Sequence, residues 1–449
     1  MAEAARFYDT RTREVRPLAP RDAGRVGIYV CGPTVYDRIH VGNARPFVLF
    51  SLLKRFLVHA GHEVTLVINI TDVNDKIYAA ARSGSSVELA EAMSAAYIDD
   101  TDRLGLGRPD HEPRASEWIG AIVEEIEALL AAGHAYEAQG DVYFRVRKDP
   151  RYGALSRRTL DAMDQGEDLE GAERKEDPLD FALWKAQKPG EDSAWDAPWG
   201  RGRPGWHIEC SAMAEQHLGV GFDIHGGGLD LLFPHHENEA AQTRCARGAE
   251  LAEIWMHNGM LAAADGEKMS KSVGNIMRLH EALDRHGRDT LVLYLASGHY
   301  RQPIVYGEDT LAAAAASVAR VREAARQLVP GPSPDELRAL RDRFFAALAD
   351  DFRTPEALAA MWEWIREANR RGDGVGDGDL REMLGVLGLG NLFDAASTPP
   401  EVEALAAERQ AARAGGDYAR ADELRVAIEA LGWSVRDAPG GDYQLTPLG

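Results

Sequence analysis

The chain has 449 residues, of which 45% are hydrophobic and 27% are charged, and its net charge is −21. This length predicts roughly two to four domains, and the acidic balance argues against a general polyanion-binding protein, which normally has a basic excess. The three cysteines, Cys31, Cys210 and Cys245, are far apart, and neither a signal segment nor an apolar run of about 18 residues is present, so we expect a cytoplasmic protein without a membrane span or a disulfide scaffold.

The first third of the chain has the pattern of a parallel, doubly wound sheet. Residues 25–31 predict a buried strand, residues 46–60 a helix and residues 62–72 a β-branched strand. A strand, a helix and a strand within about fifty residues predict a βαβ unit. Two further helices are predicted near residues 86–104 and 116–132.

The middle of the chain predicts an insertion into this sheet. The segment YEAQGDVYFRV, which starts at Tyr136, predicts a hairpin with a turn at Gln139 and Gly140. Polar and Gly/Pro/Trp-rich stretches follow, and we expect them to be partly loop. The parallel sheet is then expected to resume at GFDIHGGG and AEIWMHNGM.

Beyond Gly307 the chain is rich in Ala, Arg and Glu, and amphipathic helices of a bundle are predicted. The last fifty residues or so predict two helices and a short β tail. The fold class is therefore α/β: a Rossmann-type parallel-sheet domain with an insertion, a helical bundle and a small mixed C-terminal module. The predicted boundaries are 1–135 and 204–260 for the two halves of the sheet domain, 136–203 for the insertion, 261–307 for a loop-bearing connection, 308–395 for the bundle and 396–449 for the module.

The loop after the first strand, CGPTVYDRIHVGNARPF, places His40, Gly42 and Asn43 where the strand leads into a helix. A helix N-terminus offers free N–H groups and a partial positive charge, which suit phosphate, and a glycine lets a ligand approach the backbone. The simpler interpretation is an ordinary turn with a solvated histidine.

A second candidate is EKMSKSVGN, in which Lys268 and Lys271 lie three residues apart between the glycines at 266 and 274. Two ammonium groups on a mobile loop suit charge stabilisation on a transferring phosphoryl group. The alternative is a solvated basic loop.

A third candidate is a metal site. His235 and Glu239 are separated by four residues, on one face of a helix, and both can bind zinc, as can the thiolates of Cys31 and Cys210. The carboxyl ends of parallel strands, where Cys31 lies, form the ligand crevice of such sheets. The alternative is a pair of buried free cysteines and a solvated helix, and spacing alone does not choose between His235 and His236.

A fourth candidate is the run DIHGGGLDLLF. Gly226, Gly227 and Gly228 would let a nucleotide lie against the backbone, and Asp230 would accept hydrogen bonds from ribose. A structural turn explains the glycines equally well.

Together these motifs resemble a known family over nearly the whole chain. HVGN and KMSKS are similar to the two signatures of class I aminoacyl-tRNA synthetases, and the segments YVCGPTVYD, NITDVNDK, PGWHIECSAM, HGGGLDLLFPHHENE and DDFRTPEAL resemble the cysteinyl-tRNA synthetase family in particular. The resemblance implies ATP-dependent ligation of L-cysteine to the 3′ end of tRNA(Cys) through a cysteinyl-adenylate, with Mg²⁺ carried by ATP. We expect a monomer.

The resemblance also implies one zinc ion per chain, held by Cys31, Cys210, His235 and Glu239, with the substrate thiolate bound to it. Thiol and hydroxyl differ little in size, so a shaped pocket separates cysteine from serine poorly. Zinc prefers thiolate, and it would supply the discrimination that packing cannot.

The remaining implied roles divide between ATP and cysteine. His40 and Asn43 would contact the ATP phosphates, although the family signature has His where this chain has Asn43. The lysines would stabilise the departing pyrophosphate, the glycines and Asp230 would hold adenosine, and 308–449 would bind tRNA, with 396–449 at the anticodon. The residues implied to line the cysteine pocket are Gly32, Thr71, Trp206 and His225.

Two alternatives share parts of this pattern. A cysteine-activating amino-sugar ligase of the mycothiol type would have the same zinc and ATP motifs, but it would not need the long C-terminal half. A non-catalytic zinc- and RNA-binding paralogue would not need His40 and the two lysines. Because the residues beyond 307 include none of the zinc or ATP residues, we expect a chain that ends near Pro330, if it folds, still to activate cysteine.

Lys271→Ala should lower the rate of cysteine activation by about two to three orders of magnitude, which is the usual effect of removing such a charge contact. The KM for ATP should change less, because the contact forms mainly in the transition state. ATP–pyrophosphate exchange measures both quantities. An effect confined to KM would mean that Lys271 binds ATP equally in the ground and transition states.

Overall fold

The apolar, β-branched segments of the first third form parallel strands. The computed structural model describes residues 5–82, 84–160, 172–263, 277–372, 374–394, 400–438 and 442–447. The first elements are β1 (Arg6–Asp9), β2 (Glu14–Pro17), β3 (Arg25–Val30), α1 (Val41–His59), β4 (Glu63–Ile68), α2 (Asp75–Ala81), α3 (Ser86–Asp102) and α4 (Ile119–Ala131). β3 and β4 pair in parallel, which confirms the βαβ unit, whereas the β1–β2 hairpin and α2 are additions to the predicted elements.

Helix α1 begins five residues earlier than predicted, at Val41, and it contains Pro46. Its start is fixed by a capping box: His40 Nδ1 accepts from the Asn43 backbone N–H, and Asn43 Oδ1 accepts from the His40 backbone N–H. A proline this close to the N-terminus removes only one hydrogen bond of the ladder. The motif that resembles the first signature is therefore itself the start of the helix.

The insertion contains more regular structure than predicted. Its strands are β5 (Ala135–Ala138), β6 (Asp141–Phe144), β7 (Phe181–Ala186) and β8 (Gly202–Pro204), in an antiparallel sheet of that order. Gln139 and Gly140 both have positive φ, as a two-residue hairpin turn requires, so the hairpin is confirmed. Strands β7 and β8 were not predicted, because the buried run of β7 shows no alternation of polar and apolar residues.

The parallel sheet resumes as predicted. The elements that follow are α5 (Trp206–Leu218), β9 (Phe222–Gly228), α6 (Glu237–Arg247) and β10 (Ala252–Asn258). The strand order is β10-β9-β3-β4, and all the pairings are parallel. The ends of β3 and β9 therefore lie side by side at one edge, where α/β sheets bind their ligands.

The helical half shares one core with this sheet. Its elements are β11 (Leu261–Ala263), α7 (Leu279–His286), α8 (Arg288–Ser297), β12 (Ile304–Tyr306), α9 (Glu308–Gln327), α10 (Arg338–Ala349), α11 (Thr354–Arg371) and α12 (Gly378–Val386). Phe50 and Leu53 of α1 belong to the same buried cluster as Phe344 and Leu384. A chain ending near Pro330 would cut through this cluster, so we expect that the condition of that prediction, that the shortened chain folds, is not met.

The last elements are α13 (Pro400–Ala414), α14 (Tyr418–Ala430), β13 (Trp433–Ala438) and β14 (Asp442–Pro447). Their buried apolar side chains form a separate small cluster, which includes Val402, Ile428 and Trp433. Over the described parts of the chain, none of the helices combines the length and the apolar character needed to cross a bilayer.

We expect two shortened chains to behave differently. A chain ending at Asp394 keeps the shared cluster whole and should unfold cooperatively, within a few degrees of the full chain. A chain ending at Pro330 loses Phe344 and Phe352, the latter packed 6.1 Å from Phe56 of α1, and should not fold, because it exposes a large apolar face. Thermal unfolding followed by circular dichroism makes the comparison, and an unchanged Tm for the shorter chain would contradict the single shared core.

Candidate active site and metal centre

A cavity of about 340 Å³ opens at the carboxyl edge of the sheet. The loop after β3, the first turn of α1, and the residues after β9 and β10 form its walls. It brings together seven of the residues that the sequence analysis singled out for ATP or cysteine: Gly32, His40, Gly42, Asn43, Trp206, Gly228 and Asp230. A small-molecule site at this position is typical of open α/β sheets.

Cys31 also lines the cavity, and it belongs to a compact group of potential metal ligands: Cys31, Cys210, His235 and Glu239. Their ligand atoms lie within 4.8 Å of one another, and all four residues are buried. Glu239 Oε1 is 3.3 Å from Cys31 Sγ and 3.1 Å from His235 Nε2. Two thiols, an imidazole and a carboxylate at these separations fit a tetrahedral zinc site.

The elements explain why these four residues meet. Cys31 directly follows β3, Cys210 lies on α5, and Glu239 lies in the first turn of α6. His235 lies just before α6, in a turn of π-helical type over Leu232–His236. The helix thus begins later than predicted, yet residues 235 and 239 still share a face.

A second group overlaps the first and contains Cys31, His225, His236 and Glu239. Within this group His225 Nε2 lies 2.9 Å from Glu239 Oε2, whereas His236 Nδ1 lies 2.8 Å from His257 Nε2, outside the group. Only the first group contains both buried thiols, and its donor set is the one that zinc prefers.

Burial sets the charge of this region. It raises the pKa of the Cys31 thiol well above its usual value and also raises the pKa of Cys210. It lowers the pKa of His235 to about 3, so the imidazole is neutral, as a metal ligand must be. The thiols would release their protons when a metal binds.

The residues predicted for cysteine lie at different depths. The Trp206 ring stacks on the His235 ring at 4.4 Å and lines the cavity. Gly32 also lines it, and a Cβ there would lie 1.7 Å from the Asn69 backbone oxygen, so only glycine fits. Thr71 and His225 are buried, at 1% and 0% exposure, and lie outside the cavity wall.

The glycine run after β9 has a packing role. A Cβ on Gly226 would lie 2.1 Å from the Phe50 ring, and one on Gly227 would lie 2.7 Å from the His236 ring. Neither glycine lines the cavity, whereas Gly228 and Asp230 do. Close packing of the strand therefore accounts for Gly226 and Gly227 without a nucleotide.

Lys268 and Lys271 lie outside the described residues. The chain is described again from Met277, whose backbone oxygen accepts from Val41 N–H at 3.2 Å, and Leu279 N–H donates to Ile39 O at 2.9 Å. The segment that follows the second motif is thus bonded to the loop and helix start that contain the first.

Comparison with known proteins identifies the family. Residues 17–316 match the family model described as the class I (C) catalytic domain of tRNA synthetases, residues 343–390 the DALR domain, and residues 395–443 the cysteinyl-tRNA ligase anticodon binding domain. The cysteine–tRNA ligase of Halorhodospira halophila is 45% identical over 456 residues, which cover 97% of this chain and 98% of that protein. The chain belongs to the cysteine–tRNA ligase family.

Further similarities agree with this. The cysteine–tRNA ligase of Methylobacillus flagellatus is 44% identical over 450 residues, covering 97% of this chain and 98% of that protein. The structure of Mycobacterium tuberculosis methionyl-tRNA synthetase in complex with methionyl-adenylate has a TM-score of 0.62 at 17% identity, over 81% of this chain and 88% of that one. This structural likeness confirms the predicted α/β fold class, and the relatives confirm the resemblance to the cysteinyl-tRNA synthetase family.

Lys76 also lines the cavity, although the sequence motifs did not predict it as a site residue. Its Nζ lies 5.6 Å from the Trp206 ring centre and 5.9 Å from that of Tyr36. The residue belongs to NITDVNDK, one of the segments that resemble the cysteine–tRNA ligase family. A lysine in the first turn of a helix near the strand ends was the signal that could have identified it.

Glu125 of α4 is a buried carboxyl that contacts α5, the helix that carries Cys210. It is 1% exposed, and its Oε2 accepts from Ser211 Oγ at 2.9 Å, next to Cys210 on α5. Its Oε1 has no hydrogen-bond partner among the described residues. Burial, as the largest cause, raises the pKa of this carboxyl to about 8.

We expect Glu125→Gln to remove a pH dependence from the free energy of unfolding. The folded state holds a proton that the unfolded chain releases near its usual pKa of 4.5, so the stabilising effect of that proton is complete below about pH 4.5 and is lost as the pH rises through about 8. The free energy of unfolding of the variant minus that of the wild type should therefore rise by about 2–4 kcal/mol from pH 5 to pH 8.5. Urea unfolding at both pH values measures this difference. Glu124→Gln is the control: Glu124 is exposed, so the free energy of unfolding of this variant should depend on pH as that of the wild type does.

Proposed function

We propose that this chain ligates L-cysteine to the 3′ end of tRNA(Cys) with ATP, through a cysteinyl-adenylate. The observation that carries the proposal is the buried group of Cys31, Cys210, His235 and Glu239, because Cys31 lines the same cavity as His40 and Asn43. One end suits a thiol and the other suits phosphate. Membership of the cysteine–tRNA ligase family supports the same reaction.

The four buried residues would hold one zinc ion per chain. When bound, zinc supplies a soft Lewis acid that takes the substrate thiol as thiolate. The chain contributes orientation: His207 Nδ1 lies 2.9 Å from His235 Nδ1, which leaves His235 Nε2 facing Glu239. Such partners of metal-binding side chains fix the ring and its tautomer.

Selection of cysteine over serine would follow from this donor set. A pocket closed by the Trp206 ring separates the two substrates poorly by shape, since they differ in one atom. Cys31 and Cys210 provide an environment in which a further sulfur ligand is favoured over a hydroxyl. We therefore propose that no editing site is needed.

Adenylate formation would be a matter of positioning and electrostatics. The cysteine carboxylate attacks the α-phosphate, the bond to the bridging oxygen breaks and pyrophosphate leaves, so no protein nucleophile is required. His40 and Asn43, at the N-terminus of α1, would contact the phosphates, and Gly228 and Asp230 would hold adenosine. Lys268 and Lys271 would neutralise the pyrophosphate, with Mg²⁺ entering on ATP.

The helical half and the C-terminal module would bind tRNA. The relatives that this chain matches over nearly their full length are cysteine–tRNA ligases, and the match includes an anticodon binding domain at residues 395–443. This extended match favours a tRNA acceptor over an amino sugar. A monomer in the cytoplasm remains our prediction from the sequence.

Metal analysis together with cysteine-dependent ATP–pyrophosphate exchange tests the site. The wild-type chain should contain one zinc, and Cys210→Ser should lose most of the metal and most of the exchange, because a hydroxyl is a poor replacement for a thiolate ligand. Cys245→Ser is the matched control, because Cys245 is only partly buried and lies in neither ligand group. Full zinc content in Cys210→Ser would refute the assignment.

Transfer assays with the same protein test the acceptor. Charging of tRNA(Cys) with cysteine is the expected result. Cysteine activation without tRNA charging, but with acylation of an amino sugar, would establish the alternative ligase. Zinc binding without any exchange would support the non-catalytic paralogue.

A further inference from the structure

Arg45 is a buried charge whose hydrogen-bond partners are backbone groups. It lies on α1, two residues after Asn43, and is 2% exposed. Among the described residues, its guanidinium has no carboxylate partner. It donates instead to four backbone oxygens, those of Gly259, Met260 at 3.3 Å, His299 at 3.3 Å and Gln302 at 2.8 Å. Burial lowers its pKa to about 10, so it stays charged near neutral pH.

The four oxygens belong to two segments that meet beside the cavity. Gly259 and Met260 follow β10 and line the cavity, whereas His299 and Gln302 lie between α8 and β12. Gly259 N–H donates to Tyr300 O at 2.8 Å, and Ile304 N–H donates to Met260 O at 3.2 Å. A Cβ on Gly259 would lie 2.4 Å from the Gln302 backbone, so the two segments can pack this closely only because residue 259 is a glycine.

Arg45 therefore connects these two segments to α1, the helix that begins directly after His40. A planar guanidinium with five N–H donors can bridge several oxygens at fixed angles, which a lysine cannot do. Burying a charge is costly unless hydrogen bonds compensate for its lost hydration. The guanidinium must therefore keep its hydrogen bonds to these backbone oxygens, which fixes their positions. The cavity wall at Gly259 and Met260 is held at a fixed place relative to His40 and Asn43.

We propose that Arg45 is a positioning residue for adenylate formation. It touches neither substrate. It fixes the Gly259–Met260 wall against the first turn of α1, so that the nucleotide end of the cavity keeps the geometry that in-line attack on the α-phosphate requires. The inference rests on the proposed function. Since a misplacement of about 1 Å can lower a rate on the order of 100-fold, loss of the guanidinium should act on the activation step and leave the thiol end unchanged.

The test compares Arg45→Met and Arg45→Lys with Arg288→Met. Arg288 is the matched control, since it also donates to backbone oxygens, of Leu104 at 2.8 Å and Gly388 at 2.7 Å, and does not line the cavity. For each full-length variant, cysteine-dependent ATP–pyrophosphate exchange is measured per titrated active site, with the KM for ATP and for cysteine, the zinc content and the Tm.

For Arg45→Met we expect kcat per active site to fall on the order of 100-fold, with the KM for cysteine and the zinc content unchanged. Arg45→Lys should lie between it and the wild type, and it provides the same comparison if the methionine variant does not fold. Arg288→Met should lower Tm without changing kcat per active site. Rates within twofold of the wild type in both Arg45 variants, with only Tm reduced, would show that Arg45 is merely structural. A wild-type chain without any cysteine-dependent exchange would instead refute the proposed function.

Discussion

The site depends on the parallel pairing of β3 with β9. In this register Ile28, Tyr29 and Val30 lie opposite Ile224, His225 and Gly226, and Cys31 N–H donates to Gly226 O at 3.1 Å. The pairing places the Cys31 thiol beside Glu239, whose other oxygen is held by His225. A slip of one residue would turn His225 to the opposite face and remove this contact. The absence of a side chain at Gly226 admits Phe50 of α1, so the same register also sets how closely the helix packs.

The features of this arrangement that depend on periodicity and on side-chain chemistry could be predicted from the sequence. The βαβ unit was predictable because apolar runs and a helical repeat are local signals. The two thiols, two histidines and a carboxylate were recognisable as a donor set, but spacing did not choose between His235 and His236, since both lie in the turn that directly precedes α6. In the folded chain the two histidines differ in their hydrogen-bond partners, which are far away in sequence: His207 for His235 and His257 for His236.

Other features left no sequence signal of their own. The strands of the β1–β2 hairpin have only four residues each. The turn between them nevertheless contacts the hydrogen-bond partner of His236, because Thr10 Oγ1 lies 2.8 Å from His257 Nδ1. Strands β7 and β8 were missed because burial on both faces removes the alternation that identifies a strand. Arg45 was missed because its acceptors are backbone oxygens, which every residue has. The glycines at 226 and 227 were assigned to a ligand because a sequence does not show which neighbouring ring will fill the space.

The two ends of the cavity are joined by one short loop, and its rigidity is a condition for the proposed reaction. In the proposed reaction Cys31 would hold the thiol and His40 would contact phosphate, and residues 32–39 set the distance between the two side chains. Gly32 N–H donates to Asn69 Oδ1 at 2.9 Å. Val35 N–H donates to Thr71 O, and Thr71 N–H donates to Pro33 O, both at 3.1 Å. Thr71 therefore acts on the site through its backbone, by clamping the loop to the end of β4, which agrees with its burial outside the cavity wall. A cysteine bound through its thiol can place its carboxylate at a fixed distance from the α-phosphate only if this loop is rigid.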